Sequence, residues 1–262
     1  MNFREKYLKA VGEKESQLCV GLDPALNGQR ESQTILVDEA DPQALTDYCV
    51  DFIREVSDYA AAVKPNTQYL LFHLGLKELK AINKTVHDGG MVSILDHKLS
   101  DIGSSNESAV HWIAKAGFDA VTYSPYPGNI SETIKQAGKE GLGVFTLCLM
   151  SNPQAAWMQK ESRYGENQVY LKVAELAAST GGEGLVVAAT GEAGLDEIEA
   201  LRKITGEEVI YLYPGVGAQG GSLKKIRADQ GNKLVNVGRA IMYHEDPGKK
   251  AGEYKEKINC RS

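Results

Sequence analysis

Eight short apolar runs recur through this 262-residue chain, at residues 18–22, 60–63, 91–95, 120–123, 142–150, 184–188, 209–212 and 233–237. Helical spacing fills intervals between them, at residues 42–59, 69–86, 106–116, 130–137, 166–178 and 195–204, as in the series Leu45, Cys49, Phe52, Val56. Strands that alternate with helices run parallel and are joined by right-handed crossovers. An open doubly wound sheet and a closed barrel both satisfy that alternation. Eight repeats in a length near the roughly 250 residues usual for a (β/α)8 barrel favour closure. The expectation is an α/β chain folded as a single (β/α)8 TIM barrel domain over residues 1–262, with residues 1–17 as a short, charged, helical lead-in. No linker rich in Pro, Gly or Ser and no break in composition marks a second domain. Residues 28–41 form a polar, turn-rich loop whose unusual length suggests mobility.

A formal net charge of −6 argues against broad attraction to nucleic acid or to a membrane surface, so an anionic ligand must find local positive charge. Cys19, Cys49, Cys148 and Cys260 show no CxxC spacing, and two of them fall in apolar runs; reduced packing thiols are expected, with no metal site. Residues 1–10 are charged and lack the apolar core of a signal peptide, and no run approaches the length of a membrane span, which together imply a cytoplasmic protein. Glycosylation sequons at Asn83, Asn106 and Asn129 are then chance matches.

In a barrel of this kind functional side chains gather at the C-terminal ends of the strands. The third strand has the richest end. Its apolar run gives way at once to Asp96, Lys98 and Asp101, and alternation along a strand projects Asp96 and Lys98 to one side. An opposed pair with a third charge beside it is costly to assemble unless something uses it. Asp23 closes the first strand, Lys64 the second, Ser151 the fifth, and Gly238 and Arg239 the eighth, while Gln219 lies in the loop after the seventh. Each also fits an ordinary reading: Asp23 starts a turn, Lys64 is a solvated strand end, Asp101 caps a helix, Ser151-Asn152-Pro153 is turn chemistry. Their joint occurrence at one face of one barrel points to a site.

Residues 214–221, Pro-Gly-Val-Gly-Ala-Gln-Gly-Gly, satisfy GxGxxG through Gly215, Gly217 and Gly220. A dinucleotide fingerprint opens a βαβ unit and is followed about 20 residues later by an acid for the ribose. Here the motif lies late in the chain and residues 234–242 contain no acid, so the Rossmann reading fails. What survives is backbone able to approach a phosphate closely, and loops after the seventh and eighth strands are the usual phosphate site of such barrels.

The motif DxKxxDI followed by a small hydroxyl residue, here Asp96, Lys98, Asp101, Ile102 and Ser105, resembles the signature of the orotidine 5'-monophosphate decarboxylases. Val63-Lys64-Pro65-Asn66, residues 214–221 and Val237-Gly238-Arg239 extend the resemblance in order and approximate spacing over nearly the whole chain. It implies conversion of orotidine 5'-monophosphate to uridine 5'-monophosphate and carbon dioxide in de novo pyrimidine biosynthesis, with no cofactor. Within it, Asp23 and Lys64 hold ribose hydroxyls, and Ser151, Gln219 and Val216 contact the nucleotide. Arg239 and the amide of Gly238 hold its phosphate. Asp101, Ile102 and Ser105 complete the neighbouring site of a homodimer; Ser105 stands where many members have threonine. Lys98 stabilises and protonates the C6 carbanion, with Asp96 and Asp101 keeping Lys98 and Lys64 charged.

Rival readings have distinct signatures. A related enzyme acting on a keto-sugar phosphate shares DxKxxD but needs further acidic metal ligands at neighbouring strand ends, and the second strand ends instead in Lys64. A catalytically silent nucleotide sensor has no use for three charges at one strand end. A purely structural protein should show a repeat, a coiled coil or an exposed apolar stripe, and none is present.

Overall fold

A computed structural model describes residues 1–188, 194–216 and 223–260 of the chain. Helix α1 (Phe3–Lys14) leads into β1 (Leu18–Leu22), α2 (Pro42–Val56), β2 (Ala62–Pro65), α3 (Thr67–Leu70), α4 (Leu76–Asp88) and β3 (Val92–Leu99). Then come α5 (Gly103–Lys115), β4 (Ala120–Tyr123), α6 (Ile130–Lys139), β5 (Gly143–Leu149), β6 (Arg163–Tyr164), β7 (Asn167–Gln168), α7 (Val169–Ser179) and β8 (Gly184–Val187). The chain ends with α8 (Leu195–Thr205), β9 (Ile210–Tyr213), α9 (Leu223–Ala228), β10 (Lys233–Val237), α10 (Arg239–Met242) and α11 (Pro247–Asn259).

Eight parallel strands close in the order β1-β10-β9-β8-β5-β4-β3-β2, so the barrel expected from the alternation is the fold. Closure is carried by β1, whose Val20 pairs with Val63 of β2 on one side and with Val237 of β10 on the other. Two apolar layers follow from strands buried on both faces. One fills the space between strands and helices. The other fills the barrel lumen with Cys19, Ala62, Ile94, Ala120, Phe145, Leu147, Val186, Ile210, Leu212 and Leu234, and Phe3, Tyr7 and Ala10 of α1 plug its lower end. The lead-in helix is thus a stopper. Phe3 meets Phe145 edge-on with ring centroids 5.4 Å apart, a favoured aromatic geometry. Gly143 and Gly184 make the room: a Cβ would stand 2.9 Å from the Phe3 ring at the first and 2.4 Å from the Phe145 ring at the second.

Several boundaries differ from expectation. The helical run at residues 69–86 is two helices, α3 and α4, because Leu74 turns into the core and Gly75 then caps α4, donating its amide to Glu78 at 3.1 Å. The segment read as helix from residue 166 begins with an antiparallel hairpin, β6 with β7, and α7 starts only at Val169. Within residues 28–41, Ile35 donates its amide to the Ala25 carbonyl at 2.8 Å and buries its side chain. Cys19, Cys49 and Cys148 are buried, Cys260 is exposed, and all four are free. Among the described residues no helix is long and apolar enough to cross a membrane.

Candidate active site

The end of β3 leaves regular geometry. Its pairing with β4 runs Leu95 with Val121 and then Leu99 with Tyr123, so four residues on one strand span two on the other. Asp96, His97 and Lys98 bulge from the ladder, and Lys98 takes a left-handed backbone with φ of 54°. A long side chain enters that region only at a cost that surrounding structure must offset. Thr122 supplies the anchor, its hydroxyl accepting from the Lys98 amide at 2.9 Å and donating to Asp96 Oδ1 at 3.1 Å. Simple alternation would also bring Asp96 and Lys98 to one side, but the contact is made through a bulge.

Asp96 is the hub. Lys64 Nζ pairs with its Oδ2, and Lys98 Nζ donates to its Oδ1 at 2.7 Å. The Lys64 and Asp96 side chains retain only 8% and 12% of their accessibility, whereas Lys98 keeps 43%, so one lysine is sealed and the other opens to the barrel mouth. Burial raises the Asp96 pKa, but the two ammonium groups outweigh it and hold the carboxyl well below its usual range. Burial likewise works against the charge on Lys64, and the Asp96 and Asp23 carboxylates reverse it, leaving Lys64 protonated to well above the ordinary lysine range. Burial, with Lys98 beside it, lowers His97 and favours its neutral ring.

The other expected residues divide into three groups. Asp23 lies at the same mouth, and a Cβ on Gly238 would stand 3.4 Å from its Oδ2, so the ends of β1 and β10 meet there. Arg239 opens α10, its carbonyl accepting from the Tyr243 amide at 3.2 Å, and its side chain has no hydrogen-bond or ion-pair partner among the described residues. Ser151 follows β5, and Val216 is buried after β9. Gln219 lies outside the described residues.

Asp101, Ile102 and Ser105 form the third group. Asp101 makes no ion pair with Lys64 or Lys98; among the described residues its carboxylate accepts only from the Ile102 amide at 2.8 Å, and its carbonyl accepts from Asn129 at 3.0 Å. All three side chains are exposed, Ile102 by 62%. Sequence reading missed Thr122 and Thr67, whose hydroxyl donates to the Asp96 carbonyl at 3.2 Å. The signal for Thr122 was a polar residue inside the apolar run 120–123; Thr67 gave none.

A closed eight-stranded parallel barrel with a lysine–aspartate–lysine chain at its strand ends places the molecule among barrels of the (β/α)8 class, with its candidate site at the C-terminal ends of the strands. The chain belongs to the orotidine 5'-phosphate decarboxylase / HUMPS family, whose model matches residues 16–254. It is 34% identical over 256 residues to an orotidine 5'-phosphate decarboxylase of Roseiflexus castenholzii, covering 93% of this chain and 89% of the relative. One from Variovorax paradoxus is 35% identical, covering 93% and 90%. Among solved structures, the OMP decarboxylase of Leishmania donovani superposes with a TM-score of 0.80 at 28% identity, covering 99% of this chain and 98% of that one.

Proposed function

We propose that the chain decarboxylates orotidine 5'-phosphate to uridine 5'-phosphate and carbon dioxide, the step that completes uridylate in pyrimidine biosynthesis, with Lys98 as its central acid. The observation that carries the role of Lys98 is the shared carboxylate: Asp96 holds a sealed lysine on one oxygen and a half-exposed lysine on the other. Heterolysis of the C6–carboxylate bond leaves an electron pair at C6 that the pyrimidine ring delocalises poorly. A preoriented ammonium beside C6 stabilises that charge as it develops. Lys98 then gives its proton to C6, becoming the amine, and solvent reprotonates it. Asp96 fixes Lys98 in place and presents negative charge toward the substrate carboxylate, while Lys64 prevents Asp96 from taking the proton.

Binding is remote from the bond that breaks. Arg239 and the Gly238 amide take the phosphate, Asp23 and Lys64 take ribose hydroxyls, and Ser151, Val216 and Gln219 surround the rest of the nucleotide. Such contacts assist chemistry by fixing the base against Lys98. The keto-sugar branch of the family is disfavoured because β2 presents Lys64 where that chemistry needs an acid.

Exposure of Asp101, Ile102 and Ser105 supports a homodimer in which these residues complete the partner's site. Mixing Lys98→Ala and Asp101→Asn subunits tests it: each variant alone should be inactive and the mixture active, and a mixture as dead as its parents would contradict shared sites. Turnover in deuterated water tests the proton transfer. One deuterium should appear at C6 of the product, and deuterium exchange at C6 of added uridine 5'-phosphate should require Lys98; exchange that persists in Lys98→Ala would contradict the assignment.

A further inference from the structure

The long loop after β1 carries Arg30 back over the barrel mouth. Gly28, with φ of 83°, permits the tight reversal, and the Leu26 amide donates to the Gln29 side chain at 2.8 Å to close it. The Arg30 guanidinium then lies over the Tyr69 ring, 4.5 Å from its centroid, and faces the Tyr243 ring at 6.0 Å. Its Nε donates to the Tyr69 hydroxyl at 3.0 Å, and its Nη2 stands 4.0 Å from Asp23 Oδ2. Tyr243 clamps the backbone of the same turn, its hydroxyl donating to the Asp23 carbonyl and accepting from the Ala25 amide, both at 2.9 Å. Arg30 thus faces the Asp23 carboxylate while two tyrosines distant in sequence brace the guanidinium and the Asp23 backbone.

Two buried atoms in this cluster, Asp23 Oδ1 and Arg30 Nη1, have no hydrogen-bond partner. With Oδ1 turned inward, Oδ2, beside Gly238 and 4.0 Å from the guanidinium, is the Asp23 oxygen left toward the mouth. Side-chain exposures of 18% for Arg30 and 21% for Asp23 show that the pair is mostly withdrawn from water. A charge withdrawn in this way and held by aromatic faces has few alternative positions.

We infer that Arg30 is a positioning residue of the nucleotide site: braced on Tyr69 and Tyr243, it holds the Asp23 carboxylate toward the mouth, where Oδ2 accepts from a ribose hydroxyl. This rests on the reading of Asp23 as a ribose contact. Arg30 itself acts through Asp23, so its loss should affect recognition of the sugar more than the chemical step.

The test compares full-length wild type, Arg30→Met and Arg30→Lys for affinity toward uridine 5'-phosphate and its 2',3'-dideoxy analogue, alongside KM and kcat for orotidine 5'-phosphate. Wild type should prefer the ribonucleotide. In Arg30→Met that preference should shrink by about tenfold and KM should rise by a similar factor, as for one lost charge-assisted contact, with kcat changed far less. Arg30→Lys should recover part of both. A folded Arg30→Met protein with wild-type preference would overturn the inference, as would a fall in kcat with preference intact. Should Arg30→Met fail to fold, Tyr69→Phe removes only the hydroxyl that anchors the guanidinium and must show a smaller loss of preference; none would overturn the inference. Wild type binding both nucleotides alike would sink the hydroxyl contact of Asp23 and the role of Arg30 with it.

Discussion

Two carboxylates largely withdrawn from water stand at opposite ends of the barrel, each surrounded by cations, and only one of them adjoins the candidate site. At the lower end Asp119, its side chain 1% exposed, accepts from Lys6 at 2.7 Å, His87 at 2.8 Å, and the Ser93 amide and hydroxyl at 2.8 and 3.2 Å. These bonds tie α1, α4, β3 and β4 together, and the local groups meet the needs of the carboxylate. At the upper end Asp96 also has its oxygens engaged, and the partner lysines at the two ends, Lys6 and Lys98, are similarly exposed; the difference is that Lys98 sits on a left-handed backbone, with no partner for the Arg239 side chain among the described residues and Asp101 outside the network. Burial of charge therefore does not mark function by itself. Strain and unspent bonding capacity beside such a charge single out a candidate site, because folding alone gains nothing from them.

Mutation of each cluster should break the comparison cleanly. Lys98→Ala should lower kcat by roughly ten-thousand-fold, the combined loss of an electrostatic stabiliser and a general acid. Its stability should change by less than about 1 kcal/mol in urea unfolding, since a partly exposed pair contributes little; a variant that unfolds would make Lys98 a structural residue. Asp119→Ala should do the reverse, costing about 1–3 kcal/mol because the buried Ser93 amide loses its acceptor, while Lys6 and His87 can turn to solvent and kcat and KM of the folded fraction stay near wild type. Lost activity in that folded fraction would erase the distinction between the two ends. Arg239→Ala should weaken binding of uridine 5'-phosphate by about 2–5 kcal/mol in calorimetry if the phosphate buries the pair.

The smallest effect concerns pH. Burial opposes ionisation of Asp119, but hydrogen bonds from His87, Lys6 and the Ser93 amide outweigh it and lower its pKa. A carboxyl depressed in the folded state stabilises the fold above the unfolded pKa and loses that contribution as pH falls through the folded value. The melting-temperature gap between wild type and Asp119→Asn should therefore be full at neutral pH and narrow only below the ordinary carboxylate range. A gap that widens on acidification would reverse the sign of the argument.

Much of this was legible in the chain because barrel strands announce themselves. Residues 233–237 form β10 as read, and the charges at residues 64, 96 and 98 do meet at one mouth. What stayed hidden depends on contacts remote in sequence. The bulge at Asp96–Lys98 is set by Thr122 on another strand, and the split of residues 69–86 into α3 and α4 by the burial of Leu74. The loop at residues 28–41 reads only as long, polar and turn-rich because the contacts of Arg30, with Tyr69 and Tyr243, lie 39 residues away and beyond. Asp101 reads as a member of the charged motif, yet a single chain keeps it apart.

The most direct test of the central claim is the loss of orotidine 5'-phosphate absorbance in the ultraviolet, followed with purified protein in the presence of a chelator and beside Lys98→Ala. Rapid, chelator-resistant loss that disappears in the variant is the predicted result. Undiminished turnover by Lys98→Ala, or none by wild type that still binds uridine 5'-phosphate tightly, would contradict it.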